Sequence, residues 1–236
     1  MANSYFEFKQ FTVQQDQCAM KVGTDGVLLG AWVSVHRENR ILDIGTGTGI
    51  LALMLAQRSS SEIVAVEIEP SACRQAMENI SNSPWKSRIL AINTSIQEYS
   101  EKNNSSFDLI ISNPPFFSNS LKTPHLERTL ARHNDQLSPE EILSSVRRLL
   151  NPDGRFALIL PYVESTLFIV DAAMHEFYCT RKTMVKSSAQ KKPHRILMEF
   201  SRSRRKPEES ELVIYDDFGN YTQGYRELTK EFYLSF

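Results

Sequence analysis

The sequence predicts an α/β fold in which helices cover both faces of a mostly parallel, seven-stranded sheet with an antiparallel edge. Three observations predict it. From residue 40 onward, short apolar runs alternate with stretches of helical periodicity, as strand–helix–strand units with right-handed crossovers require. The apolar runs are nearly uninterrupted, which fits strands buried on both faces. After residue 160 two longer strand-like stretches, 177–185 and 194–202, are joined by the polar, basic segment 186–193 and read as an antiparallel pair completing the sheet.

The elements follow in order. Residues 40–45 read as a buried strand and 49–58 as a helix; 62–67 form a second strand. Pro70 suits the first turn of a helix, whose apolar face would be Ala72, Cys73, Ala76, Met77 and Ile80. Residues 89–92 are a third strand and 107–112 a fourth, which must turn out of the sheet at Pro114 and Pro115. Ser138 and Glu141 form a capping box opening another helix, and 154–160 are a fifth strand. The first forty residues and the stretch after 206 fit this scheme poorly and read as additions.

Composition excludes several classes. With 41% hydrophobic and 23% charged residues, a disordered, collagenous or coiled-coil chain is ruled out. No stretch approaches the ~18–20 apolar residues that span a bilayer, so no membrane association is expected. The start lacks a basic region followed by an apolar run, so no signal peptide is expected. Cys18, Cys73 and Cys179 lie far apart, supporting neither disulfides nor a zinc site; no metal is expected, and a reducing cytoplasm fits. Net charge is −1, yet residues 181–206 hold ten Lys/Arg and one acid, a local +9 that leaves −10 elsewhere. Such a segment can hold an anionic partner locally.

Gly45, Gly47 and Gly49 follow the first strand and open a helix, where backbone can approach a ligand and free N–H groups can meet an anion. Glu67 ends the second strand, 20 residues after Gly47, and a carboxylate there can accept both hydrogen bonds of a ribose diol. A dinucleotide fingerprint would place a third glycine where Ile50 stands. The G-x-G-x-G spacing preceded by Asp43 instead resembles motif I of the class I S-adenosylmethionine-dependent methyltransferases. That resemblance implies a three-layer Rossmann-like fold and S-adenosylmethionine as cofactor. Asp43 and the loop of Gly45, Thr46, Gly47 and Gly49 would position its methionine moiety, Glu67 and Ile68 would hold the ribose, and Ser95 and Ile96 would meet the adenine. Many members carry an Asp where Ser95 stands.

Asn113-Pro114-Pro115-Phe116 follows the fourth strand. It resembles the Asn-Pro-Pro-aromatic signature of enzymes that methylate planar amino nitrogens: adenine N6, cytosine N4 and glutamine N5. Such nitrogens are poor nucleophiles because their lone pair is delocalised. The Asn113 side-chain oxygen and the Pro114 carbonyl can each accept one N–H and turn that lone pair toward the methyl group, and Phe116 can stack on the flat acceptor.

Adenine and glutamine share this corner. The basic segment favours a nucleic acid, with Lys191, Lys192, Arg195, Arg202, Arg204 and Arg205 as candidate phosphate contacts, joined by Arg128, Arg132 and His133 after the motif. The opening 8–32 and the closing 225–236 resemble the bacterial tRNA1(Val) adenosine-37 N6-methyltransferases, implying an anticodon-loop adenosine as acceptor. On the same resemblance Lys21, Thr24 and Asp25 belong to a cofactor-covering segment. The expected organisation is one domain, a monomer, with that segment at 1–38, the core at 39–206 and a carboxyl-terminal extension at 207–236. The rivals are a release-factor glutamine methyltransferase, a non-catalytic RNA-binding module and a nicotinamide dehydrogenase.

Overall fold

The computed structural model of the chain describes residues 3–35, 38–104, 106–115 and 137–235. A two-stranded antiparallel hairpin, β1 (Tyr5–Glu7) and β2 (Thr12–Gln14), precedes α1 (Thr24–Trp32). The alternating core follows: β3 (Arg40–Ile44), α2 (Ile50–Arg58), β4 (Glu62–Glu67), α3 (Pro70–Ser81), β5 (Ile89–Asn93), α4 (Ile96–Lys102) and β6 (Phe107–Ser112). Then come α5 (Pro139–Leu149), β7 (Leu150–Pro161), α6 (Tyr162–Met174), β8 (Tyr178–Ser188), β9 (Arg195–Ser201), β10 (Glu208–Tyr215) and α7 (Gln223–Thr229).

The large sheet runs β10-β8-β9-β7-β6-β3-β4-β5, and β9 alone is antiparallel to its neighbours. The mostly parallel arrangement and the β8–β9 antiparallel pair agree with the sequence reading. The strand count is corrected from seven to eight, because β10 pairs in parallel with β8 and forms the outer edge. Its pattern is hard to read as a strand: four of its first residues are polar and exposed, and Glu209 and Glu211 pair with Lys182 (3.2 Å) and Lys186 (2.6 Å) of β8.

Alternate residues of each strand feed two cores. Ile41, Ile63, Leu109, Ile111, Ala157 and Ile159 pack with α1, α2, α3 and α7. Leu42, Ile110, Phe156, Leu158 and Leu160 pack with α4, α5 and α6 on the other face. This is the three-layer arrangement that sheets buried on both sides require. The capping box at Ser138 forms as expected: Ser138 N donates to Glu141 Oε2 (2.7 Å) and Glu141 N to Ser138 Oγ (3.3 Å). Pro70 occupies the first turn of α3, also as expected, but the buried face of that helix differs. Met77 is 44% exposed, whereas Gln75 and Asn79 are buried.

The two terminal segments form one layer with α1 and α2. Lys9 N donates to Phe232 O at 2.9 Å, and Gln57 Nε2 to Glu231 O at 2.9 Å. Phe6, Phe8 and Phe11 pack in sequence, with ring centroids 4.7 Å apart at each step, the first pair tilted and the second stacked, and Tyr233 lies 6.2 Å from Phe8. Aromatic burial of this size fastens the ends to the core, because each such ring removes ~150–250 Å² from water.

Candidate cofactor and acceptor site

Strand order reverses between β3 and β6, so the crevice of an open α/β sheet lies at their carboxyl ends. Ile44 and Ser112 are directly paired there, and Ser112 Oγ donates to Ile44 O at 2.9 Å. The chain therefore leaves the sheet side by side at Gly45 and Asn113.

The glycines after β3 do two jobs. Gly45 (φ +68°) and Gly47 (φ +57°) need left-handed backbone, and a Cβ on either would project into open space. They leave room for a ligand against bare backbone. Gly49 (φ +84°) faces inward instead; a Cβ there would sit 3.5 Å from Ala76 of α3. There the left-handed backbone at the start of α2, rather than space, is what calls for glycine.

Two carboxylates brace the loop. Glu67 is buried; it accepts from Gly47 N at 2.8 Å and from Glu69 N at 3.0 Å, joining the end of β4 to the loop. Asp43 is fully buried below it. Its Oδ2 accepts from Thr46 Oγ1 at 2.5 Å, and its Oδ1 has no hydrogen-bond partner. Burial pushes the Asp43 carboxyl up to about 7, against the opposing pull of the Thr46 hydroxyl and the Ala52 backbone N–H, with the Glu67 charge adding to the rise.

A cavity of about 420 Å³ opens over this floor. It is lined by Lys21, Thr24, Asp25, Gly45, Thr46, Gly47 and Asn113 among the expected residues, and by His194 and Arg195 across the mouth. Asn113 is turned toward α1, its Nδ2 lying 3.8 Å from the place a Cβ on Gly26 would take. Arg195 Nε donates to Asp25 Oδ2 at 2.8 Å, tying the start of β9 to the start of α1. Desolvation holds the His194 imidazole below its ordinary range, with the neighbouring Arg195 charge adding to it. On the far side of Gly45 a narrower cavity of about 120 Å³ is lined by Ile68, Ser95 and Ile96, with Leu137 and Glu141 closing it. Ser95 caps α4, its Oγ accepting from Glu98 N at 3.1 Å. The Ile96 N–H, in the first turn of that helix, has no intrahelical partner. Pro114 is buried and Pro115 exposed. Phe116, Arg128, Arg132 and His133 lie outside the described residues.

The structure divides the basic segment. Lys191 and Lys192 are exposed on the turn between β8 and β9, on the same edge as Asn113. Arg202, Arg204 and Arg205 follow the other end of β9, about 23 Å away at ~3.3 Å per residue. There Arg202 donates to Arg147 O (3.0 Å) and lies 5.7 Å from the Phe177 ring, Arg204 lies 5.7 Å from the Tyr178 ring, and Arg205 lines a separate cleft. These three arginines are not brought together with Asn113. Arg181, counted in the same tract, stacks 3.7 Å over Trp32 and donates to Trp32 O.

Sequence reasoning missed the amides that hold the amino-terminal segment over the loop. Asn79 donates to Thr48 O and Gln14 O, both at 2.9 Å, and accepts from Gln14 N at 2.8 Å. Gln75 accepts from Gln17 N at 2.8 Å, and Gln15 accepts from Val22 N at 2.8 Å. The available signal was the helical spacing of 75 and 79, which places both on the stripe of 72, 76 and 80.

The floor fits a nucleoside cofactor carrying a cationic amino-acid end: an orphaned Asp43 oxygen, a glycine cradle with open space, and a carboxylate at the end of β4. Among the described residues no group of His, Cys, Asp or Glu could hold a metal ion, and no helix is long and apolar enough to cross a membrane.

Comparison with known proteins agrees with this geometry. The model of a methyltransferase domain matches residues 35–203. A tRNA1(Val) (adenine(37)-N6)-methyltransferase of Bacteroides fragilis is 48% identical over 235 residues, 99% of each chain. One of Parabacteroides distasonis is 47% identical over the same share. Among solved structures, a predicted O-methyltransferase from Agrobacterium tumefaciens superposes with a TM-score of 0.71 at 19% identity, covering 88% of this chain and 96% of that one, which shows the shared fold. By full-length identity to these relatives, and by the methyltransferase domain at its centre, the chain belongs to the tRNA1(Val) (adenine(37)-N6)-methyltransferase family, within the S-adenosylmethionine-dependent methyltransferases.

Proposed function

We propose that the protein transfers a methyl group from S-adenosylmethionine to the exocyclic N6 of adenosine 37 in the anticodon loop of a valine tRNA. The observation that carries this reading is the opening of Asn113 into the same cavity as Gly45 and Gly47. Full-length relatives bearing that name support the choice of acceptor.

S-adenosylmethionine, when bound, supplies an electrophilic methyl group on a sulfonium. Everything else falls to the chain's own residues. Asp43 and the Gly45–Gly47 backbone hold the amino-acid end, Lys21, Thr24 and Asp25 cover it, and Glu67 accepts from the ribose. Ile68 packs beside the ribose, and Ser95 and Ile96 receive the base in the narrower cavity. The Asn113 side-chain oxygen and the Pro114 carbonyl each accept one N–H of the acceptor amine. This fixes the amine close to the methyl group with its lone pair directed along the transfer path. The same two acceptors stabilise positive charge as it develops on the nitrogen, so no strong base is needed beforehand. Phe116 stacks on the base, Arg128, Arg132, His133 and Arg195 serve the phosphates around it, and Lys191 and Lys192 serve phosphates further along the strand.

The domain acts as one unit in the cytoplasm, as a monomer. Purified protein with radiolabelled S-adenosylmethionine tests the reading. Label is expected in tRNA lacking the modification and not in a release factor; label in the release factor alone would make it a glutamine methyltransferase.

A further inference from the structure

A second surface lies on the same edge of the sheet, at the end of β10. Three aromatic side chains are exposed there: Tyr215 (39%), Tyr221 (37%) and Phe218 (89%). Tyr215, Tyr221 and the buried Tyr225 form a stack with centroid spacings of 5.1 and 4.8 Å. Phe218 stands at the tip of the turn joining Tyr215 to Tyr221, which bridge each other. That turn is fixed. The Asp216 carboxylate accepts from Phe218 N (2.9 Å) and Asn220 N (2.8 Å), Asp216 N donates to Asn220 O (2.8 Å), and Gly219 takes φ +81°. An apolar ring carried into water on a fixed backbone turn gives the isolated fold nothing, whereas it offers a flat partner a face at a set place on the surface.

The β8–β9 turn adds cations beside it. Tyr215 is in register with Ser188, and Gln190 Nε2 donates to Asp217 Oδ1 at 2.7 Å, fastening the two turns together. Exposed Lys191 and Lys192 therefore sit next to the aromatic strip, while the Asp216 and Asp217 carboxylates, still charged, are held in hydrogen bonds to the two turns. Flat aromatic faces rimmed by flexible cations match unpaired bases and their phosphates, which recognise these two chemistries together.

We infer that Phe218, with Tyr215 and Tyr221 at the base of its turn and Lys191 and Lys192 on the neighbouring turn, is a docking platform for a single-stranded part of the RNA substrate, distant from the methylated base. It rests on the functional reading above. β10 is four strand spacings from β6, roughly 19 Å at ~4.8 Å each, so the platform takes a nucleotide a few residues away from the one at Asn113. Phe218 touches neither cofactor nor reacting atoms; it positions the substrate.

Steady-state kinetics of Phe218→Ala and Phe218→Trp on tRNA lacking the modification test this. Phe218→Ala is expected to raise the KM for tRNA about 10-fold, as loss of one stacked base does, with kcat and cofactor Kd unchanged. Phe218→Trp is expected to keep the wild-type KM and to show tRNA-dependent quenching beyond that of the wild-type tryptophans. A KM within twofold of wild type in Phe218→Ala, or no added quenching at tRNA concentrations that saturate methylation, overturns the platform while leaving the methylation reading intact. Failure of the wild-type protein to methylate tRNA at all overturns both.

Discussion

Asp43 carries an unusual burden for one residue. It is fully buried, one of its oxygens has no partner, and its carboxyl is pushed from 3.8 to about 7 by loss of solvent. Between those values the folded protein holds a proton that the unfolded chain has released, so the cofactor-free fold loses stability as pH rises from about 4 to about 7. A cationic ligand beside Asp43 favours the ionised form, so cofactor affinity rises toward pH 7 and then levels off, with proton release on binding. Thermal melts and calorimetry of the wild type and Asp43→Asn across this range are the check. The variant should lose both the downward slope in stability and the pH dependence of binding; identical profiles would remove Asp43 from the cofactor site. Residue types at this scale were legible in the sequence, because left-handed glycines and a carboxylate at a strand end have few other uses. The partnership of Arg195 with Asp25 was not: it joins residues 170 positions apart.

Among the elements, α3 shows how the site is supported. Its inner face carries Gln75 and Asn79 among alanines, and Asn79 bonds at once to the β2 backbone and to the glycine loop at Thr48. Asn79→Ala would leave a buried N–H and carbonyls unpaired, which costs about 1–3 kcal/mol. Urea unfolding should show that loss, together with a higher cofactor Kd, while Met77→Ala, at an exposed position of the same helix, should change neither. The apolar periodicity of α3 pointed to Met77 because pattern alone ranks Met above Asn; only the non-local bonds reverse that order. α6 was unreadable for a related reason. Val163, Leu167, Val170 and Met174 are 60–79% exposed while Phe168 and Ala172 are buried, so apolar residues occur all round and no stripe marks the helix. The terminal segments resisted reading because their partners, such as Phe8 and Tyr233, stand at opposite ends of the chain and no local pattern links them.

At the level of the whole molecule, the site occupies one edge of an eight-stranded sheet, and the basic segment is shared between both edges. The sequence showed the cluster of charge but not its division, because strand direction decides which end of β9 each residue joins. Neutralising Lys191 and Lys192 together should lower the salt slope of tRNA binding by about 1.4, as expected for two lost single-strand phosphate contacts. Neutralising Arg202, Arg204 and Arg205 should change it less; the opposite ranking would move the RNA to the far edge. The central claim is that Asn113 presents an adenosine amine to the methyl donor. Mass spectrometry of valine tRNA tests it most directly, in cells deleted for this gene and complemented with either the wild type or Asn113→Ala. The account predicts N6-methyladenosine beside the anticodon with the wild type, and with Asn113→Ala a rate of formation lower by about 10²–10³, the usual effect of removing one charge-stabilising contact. Equal restoration by both proteins, or methylation absent from that adenosine with the wild type, would contradict it.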